Sequence, residues 1–172
     1  MRRGLGQILL AVLAGLAFPL PAQQRGIATE EPALQVRGVD GSVRAYTRSD
    51  LDRLPLETAM ASLRDRPAST VSGVSVTTLL RLAGLDLGAN LGSAAVVGRV
   101  LVARAADGYV AAFGLAEVDP HFGHAPLLVV WKNVDGSALP ARSGPFELIN
   151  TGESRGGRWV RQLLALEVRD AP

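Results

Sequence analysis

Residues 99–113 of the chain, RVLVARAADGYVAAF, carry the clearest structural signal in the sequence. Two apolar-rich stretches, Arg99 to Arg104 and Tyr109 to Phe113, flank the tripeptide Ala106-Asp107-Gly108. An Asp-Gly pair readily takes the positive φ angles that a tight turn between antiparallel strands requires. The segment therefore predicts a β-hairpin, and antiparallel pairing becomes the starting point for the fold.

Similar signals lie on both sides of this hairpin. Upstream, Asp40-Gly41 separates two short strand candidates, and downstream the apolar run Pro126 to Trp131 is typical of a buried central strand. Ser75 is a good N-cap for a helix that Gly84 is placed to end, whereas residues 56–72 show no clear pattern. Together these signals predict an α+β fold with a mostly antiparallel or mixed sheet and a few short helices. Further strands are expected at residues 34–37, 42–46, 145–149 and 163–168, and helices at 47–54, 76–83 and 115–118.

The N-terminal residues have the pattern of an export signal. Arg2 and Arg3 precede a mostly apolar stretch from Leu5 to Phe18, and Ala22 offers a small residue for cleavage. The apolar stretch is shorter than the roughly 20 residues that a membrane-spanning helix needs. We therefore expect a periplasmic or secreted protein with no membrane span after cleavage. Its expected segments are a signal peptide at 1–22, a flexible lead-in at 23–32 and a single domain at 33–172.

The composition excludes several classes of function. The 18 Lys and Arg residues exceed the 16 Asp and Glu residues by two, and Arg2 and Arg3 account for that excess. The chain beyond the expected signal is therefore neutral, and no nucleic-acid-binding surface is expected. The sequence holds no cysteine, which excludes disulfides, thiolate metal ligands and a cysteine nucleophile.

The two histidines lie close together in His121-Phe122-Gly123-His124, with Glu117 and Asp119 just upstream. Imidazole and carboxylate groups are common metal ligands. This spacing is not a known zinc signature, however, and a solvated loop is the favoured interpretation of the segment. We therefore predict no metal site from these residues.

The glycine-rich segment Thr151 to Arg158 has features of an anion-binding loop. Its glycines allow backbone N–H groups to turn toward an anion, and Arg155 and Arg158 add positive charge. It lacks the lysine-containing pattern of a nucleotide-binding P-loop, and a flexible loop between two strands is the alternative. Tyr109 and Trp159 can stack on a planar ligand, or each can anchor an edge of the core. The candidate ligand-binding residues are therefore Arg158, Arg155 and Tyr109.

An ordered series of short motifs runs from residue 49 into the C-terminal part of the chain. The series resembles the oxidoreductase molybdopterin-binding domain, the fold of sulfite oxidase and its bacterial relatives, and most of all small exported members that contain this domain alone. The motifs are Ser49-Asp50-Leu51-Asp52-Arg53-Leu54-Pro55, Gly73-Val74-Ser75-Val76-Thr77-Thr78-Leu79-Leu80, Ala83-Gly84, Ala105-Ala106-Asp107-Gly108-Tyr109, Leu115-Ala116-Glu117-Val118-Asp119-Pro120, Asp135-Gly136-Ser137-Ala138-Leu139-Pro140, Ser143-Gly144-Pro145-Phe146 and Arg158-Trp159-Val160-Arg161.

This resemblance implies a sulfite-oxidase-like molybdopterin-binding fold, with molybdopterin as the cofactor. Arg158 matches a position where relatives carry a basic residue near the cofactor. Catalytic members also bind the molybdenum through one cysteine thiolate. The position of that cysteine corresponds to a residue within 56–72 of this chain, where no cysteine is present. In place of a thiol, this stretch offers the hydroxyl groups of Thr58, Ser62, Ser69 and Ser72.

The sequence supports one leading function and two alternatives. The leading function is an exported, non-catalytic or degenerate module. It would bind an anionic small molecule or a partner protein through the pocket that holds the cofactor in catalytic members of the family. One alternative is a molybdopterin-dependent oxidoreductase that transfers an oxygen atom with an atypical metal ligand. The other is an accessory subunit of a periplasmic redox complex. The missing cysteine disfavours the oxidoreductase, because a serine hydroxyl is a harder ligand that must first lose its proton.

Overall fold

The computed structural model describes residues 31–64, 67–85, 87, 96–122 and 125–172. Most strands and helices in these residues are short, and they alternate along the chain. The strands are β1 (Leu34–Arg37), β2 (Val43–Tyr46), β3 (Glu57–Ala61), β4 (Ser69–Ser75), β5 (Arg99–Ala105), β6 (Val110–Gly114), β7 (Leu127–Val130), β8 (Glu147–Asn150) and β9 (Leu163–Asp170). The helices are α1 (Arg48–Leu51), α2 (Val76–Leu82) and α3 (Leu115–Val118), with single 3-10 turns at Pro120–Phe122, Ala141–Ser143 and Gly156–Arg158.

The strands form two sheets. The five-stranded sheet has the order β2-β1-β9-β5-β6, and the four-stranded sheet has the order β3-β4-β7-β8. All strand pairs are antiparallel except β1 with β9, which run parallel. The predicted α+β class with a mostly antiparallel or mixed sheet and few short helices is confirmed. The sequence did not indicate that the strands divide between two sheets.

The hairpin predicted from residues 99–113 is present. β5 and β6 pair with Leu101 opposite Phe113, and Gly108 in the connecting turn has a φ of 87°. The upstream hairpin of β1 and β2 is built in the same way, with Gly41 at a φ of 80°. In both turns the Asp-Gly pair provides the positive φ that a residue with a side chain rarely adopts.

The capping residues define both predicted upstream helices. The Ser75 hydroxyl accepts a hydrogen bond from the Thr78 backbone N–H at 3.3 Å, and Gly84, with a φ of 87°, follows the end of α2. Thr47 caps α1, but this helix ends at Leu51 rather than at the expected Leu54. Beyond Leu51 the hydrogen bonds shorten to the three-residue spacing of a turn, because the chain must leave the helical path before Pro55.

Residues 56–72 carried no predicted strand or helix, and β3 and most of β4 fall within this range and pair as a hairpin. Its register places Ala59 opposite Val71 and Met60 opposite Thr70. Both strands mix polar and small residues, and most of these are exposed or half-buried. The period-two apolar pattern that identifies a strand is therefore weak here.

The four-stranded sheet has a buried apolar layer on each face. On one face, residues such as Val129 and Leu148 join the main core, together with residues of the five-stranded sheet and of α2. On the other face, Leu128, Val130 and Ile149 form a smaller cluster with Ala61. Because of this second layer both faces of β7 are buried, which explains why its sequence is continuously apolar.

None of the helices within the described ranges is long and apolar enough to cross a membrane. The predicted signal peptide at 1–22 lies outside the described residues, as do most of the predicted lead-in at 23–32 and His124.

Candidate functional site

The outward face of the four-stranded sheet forms the floor of a groove of about 220 Å³. We call this feature the basic groove. Its floor is apolar and includes Val71, Val130 and Ile149, and Trp159 packs against the same apolar layer. Three cationic side chains line it: Lys132, Arg142 and Arg161.

A short bridge between two chain segments orients two of these residues. The Val160 N–H donates to the Leu148 carbonyl at 2.9 Å, and the Leu148 N–H donates to the Val160 carbonyl at 2.8 Å. Val160 is fully buried in the main core. Since side chains alternate in extended chain, Trp159 and Arg161 are directed to the opposite side, which is the side of the basic groove.

The charges that line the basic groove are mostly positive. Lys132 binds Asp52 with an Nζ–Oδ1 distance of 2.5 Å, and this hydrogen bond helps to hold the pKa of Asp52 below its ordinary value. The Arg161 Nε lies 3.7 Å from Oε1 of Glu147, the one acidic residue of the lining. Arg142 is exposed and makes no hydrogen bond or ion pair with the residues that the structure describes. The groove therefore offers cationic donors to an anion.

Tyr109 lies in a neighbouring cavity of about 290 Å³, which shares Trp159 and Arg161 with the basic groove. Its hydroxyl donates a hydrogen bond to the Gly157 carbonyl, and 46% of the residue is exposed. The structure thus brings one predicted ligand-binding residue next to the groove. Its ring is available to a planar group that extends past Trp159.

Arg158 lies in a different cavity, also of about 290 Å³, and is held there by acidic partners. Its Nε donates to Glu153 at 2.6 Å, its Nη2 donates to Glu117 at 3.0 Å, and its guanidinium lies 4.6 Å from the Phe113 ring centre. Partial burial opposes the charged form, but the two glutamates outweigh this effect and raise the pKa of Arg158. Two carboxylates against one guanidinium make this cavity acidic.

Arg155, the third predicted ligand-binding residue, is exposed on the loop before Arg158 and has no polar partner in the described part of the chain. The roles of Arg158, Arg155 and Tyr109 in cofactor binding stay predictions. In the structure, these three residues do not converge on one cavity.

The histidine segment does not form a metal centre in the described residues. The Nδ1 of His121 lies 3.4 Å from Oδ1 of Asp119, and no group of three potential ligands surrounds a common point there. The hydroxyl groups in residues 56–72 differ in their surroundings. Thr58 donates to Ser72 at 3.4 Å across the β3–β4 hairpin, whereas Ser69 and Ser72 line the basic groove.

These donors test whether the residues present fit molybdopterin. Cationic side chains beside Trp159 fit an anionic organic group with a planar ring. The hydroxyls of Ser69 and Ser72 do not fit the metal, because the family that the sequence resembles holds molybdenum with a soft thiolate, whereas a serine hydroxyl is a hard, protonated ligand. The basic groove thus fits an organic anion and does not offer the thiolate that a cysteine-ligated molybdenum centre needs.

Arg142, Arg161 and Lys132 are the residues that the site prediction missed. They come from three separate segments, so no spacing along the chain groups them. Only Arg161 could have been suspected from the sequence. In an extended segment Trp159 and Arg161 point to the side opposite the apolar Val160, which places the arginine next to the tryptophan ring on one face. Arg142 carried no such signal.

The two sheets, the few short helices and the groove beside the four-stranded sheet define an α+β protein with a sulfite-oxidase-like fold. Among solved structures, the chain is similar to a chain of the sulfane dehydrogenase SoxCD from Paracoccus pantotrophus, with a TM-score of 0.60 and 19% sequence identity. The match covers 81% of this chain and 38% of the SoxCD chain. At this identity the similarity shows the fold. No family model and no curated protein matches the chain.

Proposed function

We propose that the chain is an exported binding module that takes an organic anion in the basic groove and does not carry out molybdenum-dependent catalysis. The observation that carries this proposal is the lining of the groove. An apolar floor, the Trp159 ring and three cationic side chains surround one concavity, while the hydroxyl groups next to them are poor molybdenum ligands.

The charge distribution favours this groove over the cavity at Arg158. In the basic groove, Asp52 binds Lys132 and Glu147 lies near Arg161, but Arg142 has no hydrogen-bond or ion-pair partner among the described residues. In the Arg158 cavity, Glu117 and Glu153 already engage the guanidinium, so an incoming anion would meet two carboxylates. An anion therefore gains more from the basic groove.

A second candidate function is that of an accessory subunit in a redox complex. It is favoured by the fold shared with SoxCD, together with the finding that this chain spans 38% of the SoxCD chain that it matches. On this alternative, the basic groove would receive an acidic surface of another protein rather than a small anion.

Titration calorimetry with phenyl phosphate tests the proposal, because this probe combines a planar ring with a phosphate. We expect saturable binding of phenyl phosphate and no binding of phenol, which keeps the ring but lacks the charge. Arg142→Gln is expected to weaken the affinity roughly tenfold, since a hydrogen bond to a charged group contributes about 1.5 kcal/mol or more.

Arg53→Gln is the matched control. Its side chain is 76% exposed and pairs with Asp50, and neither residue lines the groove, so this variant should bind as the wild type does. The proposal is wrong if the wild type does not bind phenyl phosphate, or if both substitutions weaken binding equally.

A further inference from the structure

The free edge of β3 supports an inference that does not depend on the groove. β3 is the outermost strand of the four-stranded sheet, and in the described part of the chain the backbone of Glu57–Ala61 makes no hydrogen bond outside its pairing with β4. Such an edge presents alternating N–H and C=O groups with which another strand can pair.

The other three sheet edges are each protected. The outer edge of β8 is paired with Val160 through Leu148, and the Ala112 carbonyl on β6 accepts a hydrogen bond from Arg158 at 3.2 Å. β2 carries the exposed cation Arg44. Charged side chains and local pairing are the usual means by which proteins prevent edge-to-edge association.

β3 has none of these protections. Its sequence, Glu-Thr-Ala-Met-Ala, contains no lysine, arginine or proline, and its one charged residue, Glu57, lies at the end of the strand. Met60 on this strand is 58% exposed. The edge is thus mostly uncharged and is unpaired within the described residues, which is the type of edge that accepts a further strand.

We propose that β3 pairs antiparallel with β3 of a second copy of the chain, around a two-fold axis centred on Ala59. In this register Glu57 lies opposite the partner's Ala61, and Thr58 lies opposite the partner's Met60. The pairing avoids contact between like charges, because neither Glu57 faces the other. The small residues Ala59 and Ala61 allow the two strands to approach without steric conflict.

This pairing has a consequence for the basic groove. It joins two four-stranded sheets into one of eight strands, and a two-fold axis perpendicular to the sheet keeps equivalent faces on the same side. β4, which lines the groove through Ser69 and Ser72, lies next to β3. The dimer therefore displays two basic grooves on a single continuous face.

Sedimentation equilibrium over a range of protein concentrations tests the proposal. The wild type should change from monomer to dimer as concentration rises. Met60→Lys should raise the dimer dissociation constant at least tenfold, because it places two cations at the shared edge. Val134→Lys is the matched control, since Val134 has the same 58% exposure but lies in a turn outside β3 and β4, and this variant should dimerise normally.

Hydrogen–deuterium exchange identifies the strand involved. In the wild type, the amides of residues 57–61 should exchange more slowly as concentration rises, and in Met60→Lys they should not. A wild type that stays monomeric at every concentration would overturn the proposal. The same conclusion follows if Met60→Lys dimerises as well as Val134→Lys, or if residues 57–61 are equally protected at all concentrations.

Discussion

Arg158 shows how the surroundings of a residue decide the role of its charge. The sequence predicted an anion-binding arginine on a glycine-rich loop. In the structure Arg158 connects that loop to α3 through Glu117, and to the β5–β6 hairpin through the Ala112 carbonyl. A guanidinium whose donors already engage carboxylates and a carbonyl contributes mainly to holding these segments together.

We therefore expect Arg158→Met to lower the free energy of unfolding by about 1 kcal/mol, a modest value because the pair is only partly shielded from solvent. Arg155→Met, on the same loop but without a polar partner in the described residues, should leave stability unchanged. Urea unfolding of both variants measures the difference. Unchanged stability in Arg158→Met together with lost phenyl phosphate binding would return Arg158 to the role of a ligand contact.

At the scale of elements, local signals predicted the hairpins and helices that local chemistry determines. The Asp-Gly turns predicted the β1–β2 and β5–β6 hairpins, and the Ser75 N-cap predicted helix α2. The β3–β4 hairpin was not predicted, because its two strands lack a clear apolar pattern. The strands pair with each other, and β4 also pairs with β7, which is distant from it in the sequence. The same holds for the division of strands between two sheets.

The contact of β4 with β7 depends on Gly73. A Cβ atom at this position would lie 2.3 Å from the Val129 carbonyl oxygen, much closer than atoms can approach without movement of the backbone. We expect Gly73→Ala to destabilise the protein by about 2 kcal/mol or more, because the strands must separate.

Gly157→Ala is the control for this prediction, because a Cβ at Gly157 would meet nothing within 4 Å. Its urea midpoint should stay near that of the wild type, whereas the midpoint of Gly73→Ala should fall. Equal midpoints for the two variants would contradict the close approach of β4 and β7.

At the scale of the whole molecule, the candidate site was only partly predictable. Tyr109 lies in a cavity beside the groove, and its role in ligand binding stays a prediction. The cations of the groove come from segments that only the folded chain brings together. The absence of cysteine was, by contrast, fully visible in the sequence and already disfavoured the metal. The composition thus excluded a cysteine ligand for a metal, and the tertiary structure brought together the cations of the candidate site.

The stability of the whole molecule should decrease in acid. Hydrogen bonds from Thr47 lower the pKa of Asp50, and that from Lys132 lowers the pKa of Asp52. For Glu167, burial acts to raise the pKa, but Arg104 and Arg169 outweigh it and the pKa is lowered. A lowered pKa in the folded state stabilises the protein fully above the unfolded-state pKa, and this contribution is lost as the pH falls through the folded-state value.

We therefore expect the free energy of unfolding to decline as the pH falls below the unfolded-state values, near 3.8 for aspartate and 4.5 for glutamate. Urea unfolding at a series of pH values measures this decline. Stability that rises on acidification would show that these carboxylates are not favourably paired in the folded protein.

The central claim is our proposal that this fold serves here as a binding module without a cysteine-ligated molybdenum centre. Its most direct test is the molybdenum content per chain, measured by elemental mass spectrometry on protein isolated from its native host. We expect molybdenum near zero, because no thiolate is present and the hydroxyls beside the groove are poor molybdenum ligands. A value near one molybdenum per chain would contradict the account and identify the protein as a molybdenum enzyme with a different metal ligand.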